Sequence, residues 1–207
     1  MTDLELMTAI KTKWADLLDS VCATSSATPA FLAALIANET GGNPDATRFE
    51  PAVFAALGEV LLGRKAAYGS IGAQDLLLFA VPAAVSTDGP GNGGTSADAI
   101  ASQRSLFSGQ MQRLASLATS FGLTQVMGYE AIAFHSNGVN ALQSPASGLV
   151  ITTKMLAQFA ARWSLDLGKD FSGLFDVWNT GRPHAPTADP QYIPNGLARM
   201  NLYAGLA

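Results

Sequence analysis

The sequence predicts an all-α fold, or a mainly α fold with a minor β element, on three observations. Apolar residues recur at steps of three and four along most of the chain, and strict alternation of apolar and polar residues is nearly absent. Threonine or serine followed by proline stands where two of these patterns begin, at Thr28-Pro29 and Ser144-Pro145, as at the start of a helix. The chain has 207 residues, 48% of them hydrophobic, which suits a single domain over residues 1–207.

The first half of the chain contains four predicted helices. Apolar positions from Leu4 to Val21 form a one-sided stripe, typical of a helix that packs one face. Thr28-Pro29 then supplies an N-cap and a proline at the first helical position, and Gly41-Gly42 ends the helix. Because residues 30–37 contain almost no polar side chain, this second helix is expected to be buried at the centre. Two more helices are predicted from Pro51 to about Leu62, and from a cap at Ser70 through Phe79.

In the second half, turn-forming residues over 86–95 predict a flexible surface loop. Helical patterns then resume, and each has a recognisable start or end. They run from Ser96 to about Gly122, from a new start near Gln125, from Ser144-Pro145 to Trp163, from Phe171 to Gly181, and from Asp189-Pro190 towards Leu206 with a bend at Pro194. No internal repeat is found.

Composition and charge exclude several classes of protein. Only 14% of the residues are charged, against about 25% in an average globular protein, yet the apolar content excludes intrinsic disorder. Twelve Lys and Arg against sixteen Asp and Glu give a net charge of -4, which disfavours binding to nucleic acid or to an anionic membrane surface. One cysteine, Cys22, and two distant histidines, His135 and His184, predict no disulfide, no metal site and no cofactor.

Glu39 is the outstanding candidate for chemistry. It lies at the carboxyl end of the most apolar predicted helix, where apolar surroundings and the negative end of the helix dipole both favour the protonated carboxyl group. A carboxylic acid that keeps its proton near neutral pH is what a glycosidase needs to protonate a leaving glycosidic oxygen. The alternative is a solvated residue at a fraying helix end.

Two further segments accompany Glu39. Residues 120–129 contain Gln125 between apolar neighbours, and its amide can both donate to and accept from an N-acetyl or hydroxyl group of a sugar, or else satisfy helix-end carbonyls. Trp178, in Asp176 to Gly181, and Tyr192 could form the floor of a sugar cleft, since aromatic faces are apolar and their edges donate hydrogen bonds. Either aromatic ring could equally belong to the core.

Taken in order, IANETGGNPDA, SFGLTQVMGYEAI, WNTG and DPQYI resemble the lysozyme-like superfamily of soluble lytic transglycosylases, goose-type lysozymes and phage endolysin N-acetylmuramidases. The resemblance implies a lysozyme-like helical domain that cleaves the β-1,4 bond between N-acetylmuramic acid and N-acetylglucosamine, with Glu39 as the acid. It also implies a substrate groove that is lined by Ser120, Gln125, Met127, Tyr129, Trp178, Asn179 and Tyr192. Trp178 departs from the tyrosine usual in transglycosylases, and about 80 residues separate Glu39 from Ser120, more than in a compact transglycosylase domain.

The presence of a second carboxylate, and its distance from Glu39, would distinguish an inverting hydrolase, a retaining hydrolase and a transglycosylase. Inverting hydrolases need a base about 6.5 to 9.5 Å from the acid, retaining ones need a nucleophile at about 5 to 5.5 Å, and transglycosylases need neither. Glu50, in the loop after the Glu39 helix, is the first candidate, with Asp45 second. Glu50 could instead cap the helix that begins at Pro51 or pair with Arg48. A noncatalytic wall-binding or phage structural module remains the alternative from another class.

The expected partner is the glycan strand of peptidoglycan, bound by a monomer, with neither nucleic-acid binding nor membrane insertion. The acidic start lacks a secretory signal, and the apolar runs are too short to span a bilayer, which predicts a soluble protein made in the cytoplasm. The resemblance implies that it reaches the cell wall by holin-type release or by delivery on a virion.

Overall fold

The computed structural model of the chain describes residues 1–80, 108–134 and 138–206, and the described part is mainly helical. The helices are α1 (Asp3–Cys22), α2 (Pro29–Thr40), α3 (Pro51–Leu61), α4 (Ala73–Ala80), α5 (over 108–117), α6 (Gly128–Phe134), α7 (Pro145–Trp163), α8 (Phe171–Thr180) and α9 (Tyr192–Gly205). A 3-10 helix spans Gly138–Gln143. The strands are β1 (Thr47–Phe49), β2 (Ala67–Tyr68), β3 (Ile71–Gly72), β4 (Thr119–Phe121) and β5 (Val126–Met127). The predicted loop over 86–95, the first part of the Ser96 helix and His135 lie outside these described residues.

The chain divides into two compact units, each with buried apolar side chains of its own. The first unit comprises Met1–Thr47, Phe121–Val126 and Ala131–Ala207, and the second comprises Arg48–Ser120 and Met127–Glu130. The second unit therefore corresponds closely to the long segment between Glu39 and Ser120. β1, β4 and β5 form a three-stranded sheet in the order β1-β4-β5, and β2 pairs with β3 in an antiparallel hairpin.

α2 forms the centre of the first unit, as its sequence predicts. The Thr28 hydroxyl accepts a hydrogen bond from the Phe31 N–H at 3.2 Å, Pro29 occupies the first turn, and Gly41 ends the helix in the left-handed conformation at φ 61°. Every side chain from Phe31 to Ala37 is buried. Such a helix is stable only when neighbours cover all its faces, and α1, α8 and α9 supply much of that apolar cover.

Several other helices also begin and end where the sequence predicts. The Thr2 and Glu5 side chains form a capping box at the start of α1, and Ser144 caps α7 at its proline. Gly181 ends α8 in the left-handed conformation. These signals act over three or four residues, so the surrounding fold has little influence on them.

The predicted helix end near Gly122 and helix start near Gln125 are wrong. Residues 119–127 form two strands joined by a tight turn, where a helix end and a new helix start were expected. Gly122 at φ 72° and Gln125 at φ 54° both adopt the left-handed conformation, which reverses the chain and prevents continuation of α5. The last helix begins at Tyr192, just after the predicted cap at Asp189, whose Oδ1 accepts a hydrogen bond from the Gln191 N–H at 2.8 Å. Pro194 therefore stands in the first turn of the helix, where no N–H is needed, and no bend is required.

The fourth helix begins at Ala73, and Ser70 does not cap it. Ser70 belongs to the two-residue turn of the β2–β3 hairpin, in which Gly69 has a φ of 59°. The Asp75 carboxylate accepts a hydrogen bond from the Gly72 N–H at 2.8 Å, three residues before it. This bond satisfies the N–H of the residue that precedes α4, as the acidic residue of a capping box does.

Candidate functional site

Glu39 lies in the last turn of α2, where the buried core of the first unit ends. Residues 31–37 of this helix are buried, whereas Asn38 and Glu39 are partly exposed. Its Oε1 atom accepts a hydrogen bond from the Tyr192 hydroxyl group. Two residues that lie 153 positions apart in the sequence, both predicted as site residues, are thus brought into direct contact.

Tyr192 is the first residue of α9, and its ring is buried. Its exposed fraction is 9%, and the ring packs edge-on against Phe175 with centroids 6.2 Å apart. Burial raises the pKa of the Tyr192 hydroxyl far above its usual value, and the charge of Glu39 adds to the rise. The hydroxyl therefore remains protonated and acts as a fixed donor to the Glu39 carboxyl group.

The main chain of Tyr192 is held from the same helix. Asn38, the neighbour of Glu39 on α2, donates from Nδ2 to the Tyr192 carbonyl oxygen at 2.8 Å. The Arg199 Nη1 atom donates to Asn38 Oδ1, also at 2.8 Å. Arg199 in turn donates from Nε and Nη2 to Asp3 Oδ1, both at 2.9 Å. A continuous chain of hydrogen bonds therefore connects Asp3, Arg199, Asn38, Tyr192 and Glu39.

Gln125 belongs to the turn between β4 and β5 and binds backbone groups of the first unit. Its Nε2 atom donates to the carbonyl oxygens of Ala46 and Gly122, each at 3.0 Å. The hydroxyl group of Thr40, the residue after Glu39, donates to the Leu123 carbonyl oxygen at 3.0 Å. The turn is therefore tied to the end of the helix that carries Glu39. A role of Gln125 in sugar binding remains a prediction.

Trp178 and Asn179 lie side by side near the end of α8. Trp178 is partly buried, packs against both apolar clusters of the first unit and meets Phe159 edge-on at 6.3 Å. This packing matches the core alternative considered for its ring. Asn179 is exposed to solvent.

Ser120 and Glu50, two other predicted site residues, have contacts within the second unit. The Ser120 hydroxyl is buried and donates to the Arg48 carbonyl oxygen at 3.4 Å. Glu50 is the N-cap residue of α3 but makes no capping bond through its side chain. It is partly exposed and forms an ion pair with the exposed Arg48, at 2.5 Å. The pairing considered for Glu50 is therefore found, and the capping is not.

Tyr129 and Glu130, at the start of α6, form the most perturbed titrating pair of the second unit's described residues. The Tyr129 ring meets Tyr68 edge-on at 5.3 Å, and its hydroxyl lies 3.4 Å from Glu130 Oε1. Burial raises the pKa of Glu130 from 4.5 to about 7, although hydrogen bonds from Tyr129 and from the Met127 backbone act in the opposite direction. Met127, a predicted groove residue, is partly buried.

Sequence reasoning did not select Glu130, Asn38 or Arg199. The sequence does contain a sign of Glu130, because among the described residues between Leu114 and Lys154 it is the only charged one. Asn38 adjoins Glu39, and Arg199 follows Tyr192 by seven residues, which is two helical turns. Neither spacing identifies a partner on another helix.

Other features of the described residues lie outside this arrangement. No group of three or more His, Cys, Asp or Glu there could hold a metal ion, and no helix there is long and apolar enough to cross a membrane. Burial raises the pKa of Cys22 to about 11, which keeps its thiol protonated and unreactive. A surface pocket of about 360 Å³, lined by Leu17, Ser20, Val21, Thr24, Ala146, Ser147 and Val150, contains none of the predicted site residues.

The chain matches no protein-family model, and no curated protein or solved structure is significantly similar to it.

Proposed function

We propose that this protein is a glycosidase that cleaves the β-1,4 bond between N-acetylmuramic acid and N-acetylglucosamine in peptidoglycan, with Glu39 as the general acid. The observation that carries the proposal is the pair of Glu39 and Tyr192: a carboxyl group at the end of a buried helix, oriented by the hydroxyl group of a buried tyrosine. The ordered resemblance of the Glu39, Gln125, Trp178 and Tyr192 segments to lysozyme-like enzymes supports the choice of substrate.

In this reaction the Glu39 carboxyl group gives its proton to the glycosidic oxygen as the bond to the sugar carbon breaks. The Glu39 side chain becomes a carboxylate at that moment, and the Tyr192 hydroxyl already donates to its Oε1 atom. A hydrogen bond to a carboxylate is stronger than one to a neutral carboxyl group, so this contact strengthens as the proton leaves. Because the hydroxyl itself does not ionise, Tyr192 orients the acid and stabilises its product form without taking part in proton transfer.

The second half of the reaction follows one of two courses. In a hydrolase, water attacks the sugar with help from a second carboxylate, for which Glu50 remains the candidate. In a lytic transglycosylase, the 6-hydroxyl oxygen of muramic acid attacks the sugar carbon that loses the leaving oxygen, and its proton passes to the Glu39 carboxylate. A 1,6-anhydro ring forms, and a second carboxylate is not required. Because Glu50 is bound to Arg48, its use as a base requires that this ion pair opens.

Digestion of purified cell walls tests the proposal. Glu39→Gln keeps an acceptor for the Tyr192 hydroxyl but cannot give a proton, so we expect a loss of about 10²- to 10⁴-fold in the release of fragments, with an unchanged far-UV spectrum. Asp16→Asn, at an exposed position of α1, is the matched control and should retain full activity. Undiminished release by Glu39→Gln would contradict the proposal.

Mass spectrometry of the same digest distinguishes the two courses. Muramic acid with a reducing end indicates hydrolysis, and 1,6-anhydromuramic acid indicates transglycosylation. If hydrolysis is found, Glu50→Gln should lower the rate by at least tenfold. An unchanged rate in that variant would exclude Glu50 as the second carboxylate.

A second candidate function is a noncatalytic module that binds cell walls. It is favoured by the hydrogen bonds of Gln125 to two backbone carbonyl groups and by the packing of Trp178 against the core, since both residues then serve the fold. Binding of the wild-type protein to insoluble peptidoglycan, with no fragments released between about pH 4 and pH 8, would favour this candidate over the enzyme.

A further inference from the structure

Two consecutive residues of α2 hold Tyr192 at opposite ends. Glu39 accepts the hydrogen bond of its hydroxyl group, and the Asn38 amide donates to its main-chain carbonyl oxygen at 2.8 Å. The position of the hydroxyl relative to Glu39 therefore depends on where the main chain of Tyr192 is held.

That main chain lies at the start of α9, where Asp189 Oδ1 accepts a hydrogen bond from the Gln191 N–H at 2.8 Å. Gln191 is the N-cap residue of α9 and makes no capping bond through its side chain. Tyr192 is instead held by its own N–H, which donates to the Asp189 carbonyl oxygen at 3.0 Å, and by Asn38. The bond from Asn38 connects the main chain of this helix start to α2, and the bond from the Tyr192 hydroxyl to Glu39 connects its side chain to the same helix.

The direction in which the Asn38 amide points is determined by Arg199. A side-chain amide can present its oxygen or its nitrogen to a neighbour, and the two arrangements have nearly the same shape. A guanidinium group only donates and a backbone carbonyl group only accepts. With Arg199 on one side at 2.8 Å and the Tyr192 carbonyl oxygen on the other, only one arrangement satisfies both partners.

Arg199 is well placed for this role because it is itself fixed. Its side chain is only 18% exposed, and its Nε and Nη2 atoms both donate to Asp3 Oδ1 at 2.9 Å. A guanidinium group presents these donors in a rigid planar fork, so anchoring Nε and Nη2 also fixes the direction of Nη1.

On the basis of the proposed function, we propose that Arg199 is a positioning residue for the acid: it orients the Asn38 amide, which places Tyr192, whose hydroxyl orients Glu39. Arg199 does not touch the substrate in this role. Its loss should change the rate of the chemical step and leave substrate binding nearly unaltered.

The test compares kcat and KM for soluble glycan fragments, at a temperature well below the melting point of every variant. Arg199→Ala should lower kcat about tenfold with KM changed less than about twofold. Asn38→Asp still accepts from Arg199 but cannot donate to the Tyr192 carbonyl group, and it should show a similar loss. Arg162→Ala, at an exposed arginine of α7, is the control for removal of a positive charge.

A core variant outside this hydrogen-bonded chain separates positioning from stability. Val60→Ala removes two methyl groups from a fully buried position of α3, so Tm should fall while kcat stays within about twofold of wild type. If Arg199 served only the stability of the fold, kcat would be unchanged in Arg199→Ala as well, and the proposal would be overturned.

A double-mutant cycle tests the pathway itself. If Arg199 acts through the Tyr192 hydroxyl, then Arg199→Ala adds less than about twofold to the loss in kcat already caused by Tyr192→Phe. Losses that multiply would show that Arg199 acts independently of Tyr192 and would contradict the proposal. Failure of the proposed function is distinguished from these outcomes, because there the wild-type protein itself releases no fragments.

Discussion

Replacement of Glu130 by glutamine should make the protein more stable at pH 8 and leave its stability almost unchanged near pH 4.5. Glu130 lies at the start of α6, beside Tyr129, and its pKa in the folded protein is raised by burial from 4.5 to about 7. Glutamine has the same shape as the protonated carboxyl group, and it carries no charge at any pH.

Stability should fall as the pH rises, because the pKa of Glu130 is higher in the folded protein than in the unfolded chain. The unfolded chain releases the Glu130 proton near pH 4.5, whereas the folded protein retains it up to about pH 7. Between these values the unfolded state binds fewer protons, so the free energy of unfolding decreases as the pH rises. A pKa difference of this size corresponds to roughly 3 kcal/mol, which is reached in full only above about pH 7.

Urea unfolding followed by far-UV circular dichroism at several pH values measures this effect. The free energy of unfolding of the wild type minus that of Glu130→Gln should be close to zero at about pH 4.5. It should approach roughly −3 kcal/mol at about pH 8. Hydrogen exchange of peptides that cover Gly128–Phe134 reports the same change locally.

Glu59→Gln provides the control, because Glu59 forms an exposed ion pair with Arg64 at 3.1 Å, and its loss should change stability by less than about 1 kcal/mol at any pH. Parallel pH profiles for the wild type and Glu130→Gln would refute the reasoning, since they would mean that Glu130 titrates alike in both states. A loss of stability in Glu130→Gln at pH 8 would refute it as well.

Three glycine substitutions test the packing, each by its midpoint of thermal unfolding. In Gly128→Ala the new Cβ would lie 2.2 Å from the Ser116 carbonyl oxygen, so a main-chain shift and a loss of more than about 3 kcal/mol are expected; a loss under about 1 kcal/mol would contradict this close approach. In Gly196→Ala the new Cβ would lie 2.7 Å from the Phe175 ring, so overpacking should destabilise the folded protein by about 1 to 3 kcal/mol. An unchanged midpoint would contradict this, because it would mean that the ring moves aside at no cost. Gly148→Ala, at the fourth residue of α7, where nothing lies within 4 Å of the new Cβ, is the matched case and should raise stability by up to about 1 kcal/mol.

Tyr192→Phe tests the hydrogen bond to Glu39 that the proposed function depends on. Removal of the hydroxyl group should lower kcat by about tenfold or more, because a hydrogen bond to a charged group contributes about 1.5 to 3 kcal/mol. The phenylalanine ring should still pack against Phe175, so the melting temperature is the check that the fold is intact. An unaltered kcat would show that Tyr192 serves the core alone.

The helices that could be predicted are those whose ends are marked by neighbouring residues. Thr28 and Pro29 begin α2, Ser144 and Pro145 begin α7, and Gly181 ends α8. Capping bonds join residues two or three apart, so they form in the same way whatever lies beyond the helix. The uninterrupted apolar run after Pro29 likewise required a helix buried on every side.

The β4–β5 turn could not be predicted in the same way. A left-handed conformation at Gln125 is uncommon for a residue with a side chain, and here the Gln125 amide compensates by donating to the carbonyl oxygens of Ala46 and Gly122. Ala46 lies 79 residues away in the sequence. The conformation of this turn therefore depends on a partner that local spacing does not reveal.

For the candidate site, the sequence by itself determined that Glu39 would stand at the carboxyl end of a buried helix. Only the tertiary structure decided its partners. The Tyr192 hydroxyl and the pair of Asn38 and Arg199 bridge 153 and 161 residues, respectively. The physical reason is that a helix sets its own length and faces through bonds to the next turn, whereas the side chain that meets a given face is chosen by how separate helices pack.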